Sequence, residues 1–98
     1  MDTLEFRPIG NDLQQAILRF DNGFGVSIIK GESSFSTKDA PFELAVIKFI
    51  DIDAFELIYP EFTHGDVLKN LTYEDIKHYI KVTKTLNNNQ VLMKNSYL

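Results

Sequence analysis

Arg19-Phe20-Asp21-Asn22-Gly23-Phe24-Gly25-Val26-Ser27-Ile28 reads as the turn and inner ends of a β-hairpin. Its register decides which side chains of the sheet share a face. A two-residue type I′ turn at Asn22-Gly23 pairs Phe20 with Gly25 and Leu18 with Ser27, scattering apolar residues over both faces. A three-residue loop at Asp21-Asn22-Gly23, with Gly23 in the left-handed region, pairs Phe20 with Phe24, Leu18 with Val26 and Ala16 with Ile28. One face then becomes uniformly apolar. Burial selects that register, because a one-residue slip turns every side chain over.

Outward from this hairpin, residues 14–20, 24–30, 42–50 and 55–59 are rich in Ile, Val, Phe and Leu and are separated by turn residues. They read as a four-stranded antiparallel β-meander. A four-residue turn at Asp51-Ile52-Asp53-Ala54 pairs Ile50 with Phe55, Lys48 with Leu57 and Val46 with Tyr59. In that register Lys48 is the one charged residue on an apolar face, its amine expected to snorkel to the sheet's edge. Residues 1–12 read as a loose arm or an irregular edge strand, and 31–41 as a long connection.

After Pro60 the period changes from two to 3.6. Thr72 is placed to cap a helix, with Asp75 three residues on in the position of a capping-box acid. Ile76, Tyr79, Ile80, Thr83 and Leu86 follow at helical spacing, and Lys77, Lys81 and Lys84 fall on another face. Asn87-Asn88-Asn89 ends the helix, a shorter helical turn is expected over 65–71, and 90–98 forms a tail. The expected fold is therefore one α+β domain, its sheet covered on one face by a C-terminal helix.

The chain has 98 residues, a size for one modest core. It has no cysteine, which removes disulfides, thiolate catalysis and cysteine-ligated zinc and suits a reducing cytoplasm. No apolar run approaches the roughly 20 residues of a membrane span, and the polar N-terminus is no signal peptide. Residues 1–66 hold twelve Asp/Glu against five Lys/Arg, a net of −7, whereas 67–98 hold two against five, a net of +3. The basic residues are few and are not interleaved with aromatics, so the pattern excludes a nucleic-acid footprint.

Because the helix covers one face, the opposite face is the place to look for a function. The expected register puts Ile17, Arg19, Gly25, Ser27, Ile29, Glu43, Ala45, Ile47, Phe49, Glu56 and Ile58 there. A solvated back face is ordinarily polar, and these isoleucines instead form an apolar stripe. The tail or the arm, a second copy of the chain, or a different protein would cover it. Arg19, Ser27, Glu43, Ile47, Phe49 and Glu56 are the candidate protein-binding residues, with Phe35 of the long connection added to them.

No catalytic or cofactor-binding constellation emerges. His64-Gly65-Asp66 supplies two potential ligands where metal sites need three or four, and His78 belongs on the lysine-bearing side of the helix. Ser33, Ser34 and Ser36 lack a nucleophile-elbow context. Gly23-Phe24-Gly25 lacks the later glycine and the helix of a phosphate loop, and Asp51 with Asp53 fits a turn better than a calcium loop. The chain is expected to be no enzyme and to need no metal or cofactor. A hydrolase or nuclease built on His64 and Asp66 is the weakest alternative.

The stretch Arg19 to Ile28 resembles an RFDNGYGxSV-type hairpin found in small accessory proteins of tailed bacteriophages and prophages. Phe42-Glu43-Leu44-Ala45-Val46, Leu57-Ile58-Tyr59, Asp66-Val67 and Leu71-Thr72-Tyr73-Glu74-Asp75-Ile76 match further pieces of that pattern, over about residues 18–80. The chain departs from it at His64-Gly65, where the group more often has acids, and in a longer tail. The resemblance implies a phage gene product in the host bacterial cytoplasm. It implies a non-enzymatic protein that binds a host protein, including a host-defence inhibitor of the anti-CRISPR kind. The alternative is a self-associating structural or assembly component.

Overall fold

The computed structural model describes residues 4–10, 12–31 and 40–87. Among the described residues six strands form one antiparallel sheet: β1 (Arg7–Gly10), β2 (Leu13–Arg19), β3 (Phe24–Gly31), β4 (Phe42–Phe49), β5 (Phe55–Ile58) and β6 (Leu68–Leu71). The helix α1 (Tyr73–Lys84) follows them. The strands lie in the order β1-β2-β3-β4-β5, and β6 also pairs with β4. β5 and β6 share one lane: β5 pairs with Val46–Phe49 and β6 with Phe42–Leu44.

The α+β class, the antiparallel sheet and the C-terminal helix agree with the sequence, but the sheet has six strands rather than four. Arg7–Gly10 takes the edge-strand alternative expected for the arm. The sixth strand replaces the helical turn expected over 65–71. Leu68 and Leu71 have helical spacing, yet a bulge accounts for it: Leu71 pairs with Phe42 and Leu68 with Leu44 around Asn70, which has φ 57°. The extra residue brings two leucines three apart to one face.

The first hairpin has the three-residue loop. Ala16 pairs with Ile28 and Leu18 with Val26, the Phe20 amide donates to the Phe24 carbonyl at 2.8 Å, and Gly23 has φ 87°. The second hairpin differs from expectation by one residue. Val46 pairs with Ile58, Lys48 with Glu56 and Phe49 with Phe55, while the Ile50 amide donates to the Ala54 carbonyl at 3.0 Å. Both hairpins thus turn on three residues. The slip moves Glu56 and Ile58 to the helix side and Phe55 and Leu57 to the opposite face.

The core lies between sheet and helix. Phe24, Val26, Ile28, Leu44, Val46 and Ile58 meet Ile76, Ile80 and Leu86, with Leu71 closing one end. Leu4 and Phe6 pack against this same core, so this part of the arm does not cover the second face. Thr72 caps α1 as a full capping box: its hydroxyl accepts from the Asp75 amide at 3.1 Å, and its own amide donates to Asp75 Oδ2 at 2.8 Å.

Candidate functional site

The second face is a grid of cross-strand rows. Arg19, Gly25, Ile47 and Leu57 form one row, Ile17, Ser27 and Ala45 the next, and Gln15, Ile29 and Glu43 a third. Phe49 and Phe55 begin the fourth, with ring centroids 5.7 Å apart and edge to face. The Arg19 guanidinium sits 4.6 Å over the Phe49 ring, and its Nη1 makes a long 3.5 Å contact to the Ile52 carbonyl. Gly25 has no alternative here. A Cβ would strike the Leu18 carbonyl oxygen and lie 2.8 Å from Phe49 Cε2.

Of the residues expected to bind, Arg19, Ser27, Glu43, Ile47 and Phe49 share this face. Glu56 does not: the register places it opposite Lys48 on the helix side. Phe35 and most of its connection lie outside the described residues, as does the tail. Ile47 is fully buried and Ser27 only 6% exposed, with the Ser27 hydroxyl accepting from Gln15 Nε2 at 2.8 Å. These two support the face rather than present it. The apolar surface comes from Ile17 (43% exposed), Phe55 (37%) and Leu57 (48%).

Phe55 and Leu57 were missed through the register, and Lys48 carried the signal that finds it. A lysine opposite Leu57 has no partner in the sheet, whereas opposite Glu56 it faces an opposite charge. The same correction exposes a corner. Ile50, Ile52 (77% exposed), Phe55, Leu57 and Tyr59 are all exposed, on β5, the turn before it and the residue after it. Residues 50–66 carry Asp51, Asp53, Glu56, Glu61 and Asp66, all exposed, and no Lys or Arg.

On the other side of the molecule, Asn22 ties the first hairpin to the end of α1. Its Nδ2 donates to the carbonyls of Thr83 (2.9 Å), Lys84 (3.1 Å) and Leu86 (3.1 Å), while its Oδ1 accepts from the Phe24 amide. Leu4, Tyr73, Ile76, Ile80, Lys77 and Lys81 line a groove of about 170 Å³ beside α1. Lys77 is paired with Glu74 at 2.9 Å, which raises its pKa through that bond, while Asp75 is held low chiefly by the Thr72 amide.

His64 and His78 are both exposed. His64 ends the short 3₁₀ turn Glu61–Thr63 with φ 55°, and His78 stands edge-on to Tyr79. Among the described residues no three His, Asp or Glu side chains converge as a metal site would require, and no helix is long and apolar enough to cross a membrane. No family model, curated protein or solved structure matches the chain.

Proposed function

We propose that this chain is a non-enzymatic phage accessory protein that works in the host bacterial cytoplasm. It binds and modulates a host protein through the second face of its sheet, and a host-defence factor is the target class the resemblance favours. The single observation that supports this reading is the apolar second face: Ile17, Phe55 and Leu57 are solvent-exposed around the Arg19–Phe49 stack. An antiparallel sheet that faces only water carries polar residues there. The phage setting rests on the residue pattern over 18–80 alone.

The test is affinity capture from host lysate with wild type beside Leu57→Asp and Ile17→Asp, followed by titration of the purified captured protein. Partner recovery is expected to fall about tenfold in each variant, the effect of losing roughly 1.4 kcal/mol at an interface anchor. Recovery of nothing above background, or full recovery by both variants, defeats the reading. A second reading, self-association as an assembly component, uses the same exposed residues. It requires a concentration-dependent dimer in sedimentation that the same two variants dissociate.

A further inference from the structure

We propose that the outer edge of β5 is a docking edge for an extended cationic segment of a partner protein, which adds to the sheet as a further strand. This deepens the protein-binding reading above and rests on it. The backbone sets the geometry. The Phe49 amide donates to Gly23 on the β3 side, at 3.0 Å, and the next amide, Ile50, donates to Ala54 on the β5 side. Hydrogen-bonding direction alternates along a strand, so Lys48 and Val46 face β5, and Glu56 and Ile58 face back to them. The N–H and C=O of Phe55 and Leu57 therefore point outward, where no strand pairs with them among the described residues.

The outer strands β1 and β6 are blunted and β5 is not, while the stretch of β2 that runs past its pairing with β1, Ala16–Arg19, ends on the charge of Arg19. β1 carries Pro8 and a bulge, and β6 carries Lys69 and the Asn70 bulge. Proline, lysine and bulges are what ordinarily protect an edge from added strands. β5 pairs regularly with β4 and has none of the three. Its Phe55 and Leu57 side chains extend the apolar face to the edge, and Ile50, Ile52 and Tyr59 flank it.

Charge names the occupant. Residues 50–66 carry five exposed carboxylates and no Lys or Arg, and these outnumber the two cations beside the segment, Arg19 over Phe49 and Lys48 opposite Glu56. A second copy paired antiparallel along β5 would bring Asp51 and Asp53 of one molecule towards Glu61 of the other, and like charges across strands repel. A strand alternating apolar and basic residues meets both features. Its backbone satisfies Phe55 and Leu57, its apolar side chains lie on the second face, and its cations meet the carboxylates.

The probe is a capped peptide alternating lysine and valine, titrated into the ¹⁵N-labelled full chain beside a peptide alternating glutamate and valine. We expect the lysine peptide to bind at least about tenfold more tightly, to weaken with added salt, and to shift the Phe55 and Leu57 amides. Leu57→Pro, which deletes an outward N–H, is expected to lose about tenfold in affinity, beyond the loss in Leu57→Ala. The double variant Asp51→Asn/Asp53→Asn, confined to an exposed turn, is expected to lose severalfold and to flatten the salt dependence. Equal binding of the two peptides, or binding of neither, overturns the proposal. So does a dimer in sedimentation that protects the Phe55 and Leu57 amides. Shifts confined to Ile17 and Ser27 overturn the edge while leaving the second face as a protein-binding surface. Failure of the lysate capture alone removes the host-protein reading instead.

Discussion

At Asn22 one carboxamide serves two elements: it accepts from Phe24 inside its own turn and donates to three carbonyls at the end of α1, some sixty residues away. The last carbonyls of a helix have no partner within it, so the turn supplies a cap from outside. Asn22→Ala is expected to cost about 1–3 kcal/mol in urea unfolding. Asn22→Asp should cost more at neutral pH. A carboxylate cannot donate, and it adds a negative charge at the negative end of the helix dipole, a further cost of about 0.3–1 kcal/mol. At the other end of α1, the Thr72 amide and hydroxyl hold Asp75 below its ordinary pKa. A depressed carboxylate stabilises the folded chain above its unfolded value, near pH 4, and that contribution is lost as pH falls through the folded value. Asp75→Asn should therefore flatten the acid limb of a stability–pH curve below about pH 4 and leave the slope at neutral pH unchanged.

Among the elements, β6 and the second hairpin show how one residue redirects a segment. The bulge at Asn70 needs a left-handed residue, so Asn70→Gly should be neutral or stabilising. Asn70→Val should cost about 1–2 kcal/mol by thermal unfolding. The segment 65–71 reads as a helical turn in the sequence, because the spacing of Leu68 and Leu71 is the same for a helical turn and for a bulged strand. Only pairing with Phe42 and Leu44 separates the two. The first hairpin was legible to the register because only one pairing brings Ala16, Leu18 and Phe20 to one face with Phe24, Val26 and Ile28. β5 has four residues, and apolar residues fall on both of its faces. Its pattern left the register to a single charge pair, Lys48 with Glu56.

For the whole molecule, exposure divides residues that the sheet puts on one face. Ile47 is sealed under its neighbours, whereas Leu57, its partner one strand over, is half exposed. Ile47→Ala should cost about 2–5 kcal/mol, and Leu57→Asp should stay within about 0.5 kcal/mol in the same denaturant titration. That contrast is the control for every binding experiment above: a lost partner in Leu57→Asp then reports the surface, not the fold.

The sequence alone determined the α+β class, the first hairpin and its loop, the presence of strands β2 to β5, the Thr72 cap and the buried stripe of α1. These are set by local chemistry: left-handed tolerance at Gly23, alternation in strands, and the 3.6 period with its cap. Tertiary structure decided the lane shared by β5 and β6, the side on which Leu4 and Phe6 pack, and the tie from Asn22 to α1. It also decided which apolar residues face solvent at the β5 edge. These depend on pairings between segments far apart in the chain, and the energy that selects them appears only once both partners are in place.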